Sequence, residues 1–402
     1  MSTSELARAP AALRERLDPR FAGELVALRR AIHAEPELSM LEVRTAERLE
    51  AALRSHGIDD VRRVGATGLV ARVPGRQRDL PPVALRGDID ALPIGEETGL
   101  PYASQVPGVM HACGHDIHAS WAVGAAWLLA LHPAEGDVLV VLQPGEETGR
   151  GALTIIEAGA LDGVRAIFGG HVDMRFPVGQ VVAEPGPLAA SSDTFSIELV
   201  GRGAHAARPH ESADPIVGAA TLVVTLQSVV ARRLNPATPG VLTVGAMHAG
   251  SASNVIPDRA MLTGTIRAVD APARRLLIDE LHRVANGVAA AHALEARAAV
   301  EDGTPPLLNA LEPTGWARVA VETVLGADAL VPLGTVNMAA EDFAHYLERI
   351  PGCFLRIGAG RPGEPPIAAH SPRFDPAEES LFVGAAVLAE CAREASSALS
   401  PR

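Results

Sequence analysis

Lysine is absent from this chain of 402 residues, and all 35 of its basic residues are arginine. Without lysine, the chain cannot form Schiff bases, attach pyridoxal phosphate or use the phosphate-binding lysine of a P-loop. Cysteine is rare as well, with only Cys113, Cys353 and Cys391. Cysteines that are odd in number and widely spaced favour a reducing compartment.

Long hydrophobic runs and excess positive charge are also missing. We find no stretch of 18 uncharged apolar residues and no apolar signal core in residues 1–20, which predicts a cytoplasmic protein without a membrane partner. The net charge of −13 argues against a nucleic-acid partner. Aromatic residues make up 3% of a chain that is 48% hydrophobic, so its cores are expected to contain mainly Ala, Val and Leu.

The length exceeds the size of a typical single core and predicts two domains. Residues 5–55 have helical periodicity that is interrupted at Glu35-Pro36. Beyond them, predicted strands and helices alternate, and three strands end in polar residues: Asp88 and Asp90, Glu146 and Glu147, and His171. Functional groups at strand carboxyl ends are typical of a largely parallel α/β sheet flanked by helices.

The order of predicted elements changes after residues 185–192, a candidate hinge. The following block predicts the order βαββαβ, which is typical of a small split-βαβ, ferredoxin-like α+β domain. We therefore predict an α/β sheet domain formed by residues 1–189 and 305–402. It is interrupted by an inserted domain that spans residues 190–304.

The densest polar run, residues 86–120, contains many groups that can bind a metal: Asp88, Asp90, His111, Cys113, His115, Asp116 and His118. Buried unpaired, such groups would be costly, so a metal ion is the simplest explanation, with a polar surface loop as the alternative. Cys113 and His115 are two residues apart, which predicts a loop around Gly114. A thiolate with an imidazole suits Zn, Mn, Co or Ni better than Mg or Ca.

Glu146 and Glu147 close an apolar strand. Because adjacent residues at a strand end point to opposite sides, one carboxylate could bind metal while the other faces the substrate. The free carboxylate could then take a proton from water and give it to a leaving amine. The alternative is a solvated pair in a loop.

Other candidates are more isolated in the sequence. His171 and His370 each lie beside Gly or Pro, where a structural histidine is the alternative to a ligand. His205 lies in the predicted inserted domain and could stabilise an oxyanion. Asn254 and Arg267 could bind a substrate carboxylate, or serve as capping or surface residues.

Eight ordered segments resemble the family of hippurate hydrolases, N-acyl-amino-acid amidohydrolases and auxin-conjugate hydrolases, within the aminoacylase/carboxypeptidase group of metallopeptidase-like enzymes. They are RGDIDALP, MHACGHDIH, QPGEETGRGA, GGHVDM, GRGAHAARPH, NVIPD, EDF and AAHSPRF. The resemblance extends from about residue 33 to the last helix. It implies a hydrolase-like catalytic, metal-binding domain over residues 1–189 and 305–402 and a lid or dimerisation domain over residues 190–304. It also implies a homodimer or higher homo-oligomer with two divalent ions per chain.

The resemblance also implies residue roles. Glu146 would be the general base, Asp90 would support the centre, and His205 and Asn254 would reach the active site of a partner subunit. Asp88 stands where more distant relatives have a metal-binding His and is left out of the ligand set. The implied metal ligands are Cys113, His115, Glu147, His171 and His370.

These observations predict a two-metal amidohydrolase that releases a carboxylic acid and a free amino acid from a small N-acyl amino acid such as hippurate. A dipeptidase or carboxypeptidase acting on short peptides is the nearest alternative. A catalytically inactive binding protein is disfavoured because the expected ligands and base are present. A cysteine hydrolase using Cys113 and His115 is disfavoured because residues two apart rarely align as nucleophile and base.

Overall fold

The computed structural model describes residues 6–401. Residues 1–5 and 402, with the start of the helical region predicted over 5–55, lie outside the described residues. The chain packs into two compact units. Unit one holds the described residues up to Gly186, Asn309–Gly334 and those from His345 onward, and unit two holds Pro187–Leu308 and Thr335–Ala344. The functional boundaries predicted at residues 189 and 304 stay predictions.

The helices follow the apolar periodicity of the sequence, and the first long helix ends at Ala34, before Glu35-Pro36. This position fits the steric restriction that proline places on the preceding residue. In chain order the α-helices are α1 (Ala11–Arg14), α2 (Pro19–Ala34), α3 (Val43–Arg54), α4 (His115–Leu131), α5 (Gly151–Glu157), α6 (Pro215–Arg232), α7 (Ala271–Ala291), α8 (Leu311–Leu325), α9 (Ala344–Leu347) and α10 (Ser380–Ala398).

The strands are distributed over both units. In chain order they are β1 (Val61–Val64), β2 (Gly68–Val73), β3 (Val83–Asp88), β4 (Val138–Gln143), β5 (Ala166–Pro177), β6 (Val181–Val182), β7 (Gly186–Ala189), β8 (Ser192–Val200), β9 (Ala204–His205), β10 (Gly240–Ala249), β11 (Val255–Ile256), β12 (Arg259–Ala268), β13 (Glu295–Thr304), β14 (Leu307–Asn309) and β15 (Gly352–Gly360). The short strands β7 and β14 pair with each other.

Unit one is built on a seven-stranded mixed sheet with the order β1-β2-β4-β3-β5-β15-β6. The central strands β4, β3, β5 and β15 run parallel, and antiparallel strands extend the sheet at both edges. Every residue of β3, β4 and β15 is buried, as expected for parallel strands covered on both faces. Helix α4 packs on β3 and against α10. His118 in the first turn of α4 contacts Asp88, the last residue of β3, so the start of the helix lies beside the carboxyl end of the strand.

Unit two has a four-stranded antiparallel sheet with the order β10-β12-β8-β13. Helices α6 and α7 pack on it and enclose a core of aliphatic residues with Phe195. The α/β fold with an additional α+β part is thus confirmed, although the sheet of unit one is parallel only at its centre.

Helix α6 is long and apolar enough to cross a membrane by length and composition, and a third of it is buried. A single helix of this kind is weak evidence for a membrane span. Its buried residues Leu222, Leu226 and Val229 lie in the core of unit two. Its opposite face leaves Val217 and Val224 exposed.

Candidate metal centre

Two buried carboxylates lie at the carboxyl end of β3. Asp88 accepts a hydrogen bond from the Arg86 guanidinium at 2.5 Å, and the same guanidinium donates to Gln143 Oε1 at 2.9 Å. Asp88 and Asp90 are almost completely buried. Their charges are therefore compensated by specific partners, as the cost of burying a carboxylate requires.

Asp90 connects the start of α4 to the segment that follows β4. Its Oδ1 lies 3.1 Å from His115 Nδ1, and its two oxygens accept the backbone N–H groups of Glu146 and Glu147, each at 3.1 Å. Ser39 donates to Asp90 Oδ2 at 2.7 Å. Burial opposes the charged ring, but Asp88 raises the pKa of His115 above its ordinary value, so a cation at Nε2 would displace a proton. With Nδ1 then donating to Asp90, the lone pair of Nε2 would be directed at the metal.

The turn predicted around Gly114 leads directly into a helix. His115 is the first residue of α4, so the two predicted ligands lie on either side of the helix start. Gly114 has a φ of 89°, in the left-handed region that favours glycine, and a Cβ there would lie 2.7 Å from Val172 Cγ2. This turn places the Cys113 thiol beside the start of the helix.

His171 on β5 faces Cys113. Its Nδ1 lies 2.7 Å from the carbonyl oxygen of Val172, to which it donates, and its Nε2 lies 3.2 Å from Cys113 Sγ. Burial lowers the pKa of His171 well below its ordinary value, which keeps the ring neutral. A neutral imidazole with a free Nε2 is the form that binds metals.

The prediction that Glu146 and Glu147 diverge at a strand end is wrong in its premise. Strand β4 ends at Gln143, and Glu146–Thr148 forms one turn of 3₁₀-helix after Pro144 and Gly145. Both carboxylates consequently reach the same neighbour, with Glu146 Oε2 and Glu147 Oε1 each 3.9 Å from His115 Nε2.

His370 approaches from the long segment between β15 and α10. Its backbone N–H donates to the carbonyl of Ala112 at 2.8 Å, and its φ of 66° is unusual for a residue other than glycine. Its Nε2 lies 3.3 Å from Glu147 Oε1, and about half of the side chain is exposed. The backbone contact thus holds His370 next to Cys113.

The five predicted metal ligands come together as two donor sets that share the Cys113 thiol. One set is Cys113, His115 and His171, the other is Cys113, Glu147 and His370, and the donor atoms within each set lie within 4.8 Å of one another. His115 Nε2 is buried without a hydrogen-bond partner among residues 6–401. These donors fit two divalent cations with a mixed sulfur, nitrogen and oxygen environment.

The chemistry of Cys113 also fits a cation better than a nucleophile. Burial raises the pKa of its thiol above the ordinary value, whereas nucleophilic cysteines have a lowered pKa. His171 Nε2 lies 3.2 Å from the same sulfur, so the thiol faces a second imidazole as well as His115, as expected for a metal ligand. A bound cation would release the thiol proton and stabilise the thiolate.

His118, one of the potential metal-binding groups in the polar run of residues 86–120, has a supporting role in the structure. Its Nδ1 lies 2.7 Å from Asp88 Oδ1, and its Nε2 accepts the N–H of Val172 at 3.0 Å. Since both ring nitrogens are occupied, His118 orients its neighbours and is not a ligand. Its place in the polar run of residues 86–120 was the only available signal.

In unit two the structure brings His205 and Asn254 together. Strand β9 pairs with β11, and the N–H of Ala206 donates to the carbonyl of Asn254 at 3.0 Å. Both residues line an open depression of about 600 Å³. His205 Nδ1 accepts the N–H of Ala207 at 3.1 Å, which leaves Nε2 as the outward-facing donor.

Arg267 lies elsewhere in unit two. It lies near the carboxyl end of β12, whereas β11 precedes the amino end of that strand. The Arg267 guanidinium donates to the carbonyl of Met338 at 3.0 Å. Its role in binding a substrate carboxylate stays a prediction.

Comparison with known proteins identifies relatives of this arrangement. The sequence model described as peptidase family M20/M25/M40 matches residues 84–394. An N-acetylcysteine deacetylase of Bacillus subtilis is 40% identical over 387 residues, which cover 93% of this chain and 97% of the deacetylase. The Arabidopsis thaliana IAA-amino acid hydrolase ILR1-like 4 is 38% identical, with 92% and 84% covered.

Among solved structures, the YXEP protein of Bacillus subtilis is described as a dinuclear metal-binding peptidase of the M20 family. It superimposes with a TM-score of 0.82 at 35% identity, covering 94% of this chain and 98% of YXEP. The resemblance inferred from the eight sequence segments is thereby confirmed.

Proposed function

The chain belongs to peptidase family M20/M25/M40, and we propose that it is a two-metal amidohydrolase that cleaves the amide bond of small N-acyl amino acids. The relatives named as an N-acetylcysteine deacetylase and an IAA-amino acid hydrolase support this class of substrate. A hippurate-like substrate and a cytoplasmic location stay predictions from the sequence.

The observation that carries the proposal is the pair of donor sets sharing Cys113 with Glu146 beside them. Cys113, His115, Glu147, His171 and His370 would hold two ions of Mn, Zn, Co or Ni. When bound, such ions supply Lewis acidity, which lowers the pKa of water and polarises an amide carbonyl.

The remaining steps belong to side chains of the protein. Glu146 takes the proton from the attacking water and delivers it to the nitrogen of the leaving amino acid. Asp90 fixes the backbone from which Glu146 projects. We propose that His205 Nε2 donates to the oxyanion of the tetrahedral intermediate, and that Asn254 binds the substrate, both from a partner subunit.

Elemental analysis with a substrate panel tests the proposal. We expect about two metal ions per chain and chelator-sensitive release of free amino acid from N-acetyl or N-benzoyl amino acids, restored by Mn²⁺, Zn²⁺, Co²⁺ or Ni²⁺. A folded protein that binds no metal under any supply contradicts the site assignment. Metal-dependent turnover of dipeptides alone supports the peptidase alternative.

The exposed face of α6 supports the predicted homodimer. Ile216, Val217 and Val224 are 41%, 50% and 73% exposed, and β10 forms an edge of the adjoining sheet in the described chain. An apolar helix face next to an open sheet edge is typical of a surface that pairs with another chain.

We therefore expect Val224→Asp to convert a dimer into a monomer, because a carboxylate at the interface would be desolvated without a partner. Size-exclusion chromatography with light scattering measures the mass of the oligomer. If His205 acts on the partner subunit, the rate of hydrolysis should also be lower in the monomeric variant. Leu311→Asp is the matched control, since Leu311 is 78% exposed on α8 in unit one. A wild-type monomer, or a Val224→Asp dimer, contradicts the proposal.

A further inference from the structure

A second buried carboxylate lies behind the turn that carries Glu146 and Glu147. Glu42 is completely buried, and its Oε1 accepts the N–H of Gly145 at 2.9 Å and the N–H of Met40 at 2.8 Å. Its Oε2 accepts the Thr67 hydroxyl at 2.6 Å. Glu42 thus joins three separate segments of unit one, one of which leads directly into the proposed base and ligand.

Glu42 stands immediately before α3, where an acidic residue would ordinarily cap a helix. Its side chain makes no capping hydrogen bond to the described residues of α3. The side chain that performs this task belongs to Glu37, whose Oε2 accepts the N–H and the hydroxyl of Thr45 at 2.8 and 3.0 Å. Helix capping therefore does not explain why Glu42 is buried.

The backbone on both sides of the contact between Glu42 and Gly145 has positive φ angles. Met40 has a φ of 65°, in the left-handed region, and Gly145 has a φ of 60°. A Cβ on Gly145 would lie 2.8 Å from Met40 Cε, so Met40 packs directly on the glycine of the turn. Burial raises the pKa of Glu42 above its ordinary value, which reflects the desolvation of the carboxylate.

Glu42 complements Asp90 in a way that the sequence did not indicate. Glu42 accepts the N–H of Gly145, and Asp90 accepts those of Glu146 and Glu147. Three successive backbone N–H groups are therefore held by two buried carboxylates. Such a clamp fixes the direction in which the side chains of the turn project.

We propose that Glu42 is a positioning residue that holds Gly145 and so sets the carboxylates of Glu146 and Glu147 for proton transfer and metal binding. The inference rests on the proposed function. It assigns a role to Glu42 that depends on hydrogen-bond geometry more than on charge. Supporting residues of this kind commonly change metal affinity or activity by 10- to 100-fold.

The test compares Glu42→Ala with Glu42→Gln. Glutamine can accept both N–H groups through Oε1, so it keeps the contact to Gly145 without the charge, while its amide donates to the Thr67 hydroxyl and reverses the direction of that one hydrogen bond. Metal affinity is measured by competition with a chromophoric chelator, and kcat and KM are measured at saturating metal, below the thermal transition of each variant. We expect Glu42→Ala to lose about 10- to 100-fold in metal affinity or kcat with little change in KM, and Glu42→Gln to remain near wild type.

Glu37→Ala is the matched control, because it removes a carboxylate clamp at the same helix start that does not contact Gly145. It should leave metal affinity and kcat unchanged. If Glu42 were purely structural, Glu42→Ala would lower only the unfolding temperature. A folded Glu42→Ala variant with the metal affinity and kcat of the wild type therefore overturns the inference. An equal loss in Glu37→Ala overturns it too.

Glu42→Asp provides a second comparison if Glu42→Ala does not fold. Aspartate keeps the charge but is one methylene shorter, so it cannot keep all three contacts. If Glu42→Gln binds metal more tightly than Glu42→Asp, the inference is supported. If Glu42→Asp binds metal more tightly, the inference is overturned. If wild type does not hydrolyse N-acyl amino acids, the proposed function fails, while the affinity comparison still decides the role of Glu42.

Discussion

The Glu146→Gln variant is expected to lose about 100- to 10,000-fold in kcat while keeping the metal content of the wild type. Glutamine has nearly the same shape but cannot take a proton from water. The backbone of residue 146 would remain bound to Asp90, because that contact uses its N–H group. The measurement is kcat on the preferred N-acyl amino acid, together with elemental analysis of the same sample.

Glu147→Gln is the matched control, since it is the same substitution one residue away. Glu147 belongs to a donor set with Cys113 and His370, so its neutral amide should weaken metal binding. The two variants should therefore separate, one retaining metal without turnover and the other losing metal. If Glu146→Gln has the kcat of the wild type, the assignment of Glu146 as the base is wrong, whatever the behaviour of Glu147→Gln.

The Arg29→Met variant is expected to destabilise the protein by about 3–5 kcal/mol. Arg29 is completely buried on α2 and donates to Asp116 Oδ2 at 2.7 Å and to Glu378 Oε1 at 3.2 Å. His33 Nδ1 also contacts Asp116 Oδ2, at 2.8 Å. Removing Arg29 leaves buried carboxylates with incomplete compensation, directly behind the start of α4 where His115 projects.

The pH dependence of this effect follows from Asp116. Burial by itself would raise the pKa of this carboxyl, but Arg29 and His33 lower it well below its ordinary value. A lowered folded-state pKa contributes stability above the unfolded pKa of about 3.9, and the contribution is lost as the pH falls through the folded value. The difference in free energy of unfolding between wild type and Arg29→Met should therefore have its full size at neutral pH and become smaller in strong acid.

Denaturant unfolding monitored at several pH values measures this difference. Arg20→Met is the control on the same helix, because the Arg20–Glu24 pair is largely exposed, with 87% of the Arg20 side chain accessible. Exposed ion pairs contribute little, so Arg20→Met should unfold like wild type. Equal stability of Arg29→Met and Arg20→Met would show that the buried network does not contribute as argued.

The α/β fold was predictable because its determinants are local and periodic. Apolar strands such as Val83–Asp88 and Val138–Gln143 end at polar residues, and their alternation with helices indicates a parallel centre. The antiparallel edges were not predicted, since the pairing partners of short strands such as Val61–Val64 depend on contacts outside the strand itself.

Several site details could not be predicted for a related reason. Sequence periodicity placed Glu146 and Glu147 on a strand end, but Pro144 and Gly145 turn the chain into a 3₁₀-helix. The start of α4 at His115 depends on the left-handed conformation of Gly114. Single residues of this kind redirect a side chain without changing the surrounding pattern.

The sequence by itself determined the absence of lysine chemistry, the order of elements and the set of candidate ligands, because these depend on residue type and near neighbours. Only the tertiary structure decided which imidazole nitrogens are free, that His118 orients its neighbours, and that Glu42 holds Gly145. His118 and Val172 are 54 positions apart in the sequence, and Glu42 and Gly145 are 103 positions apart. Such pairs form only when packing brings distant segments together, and no local pattern specifies which donor will meet which acceptor.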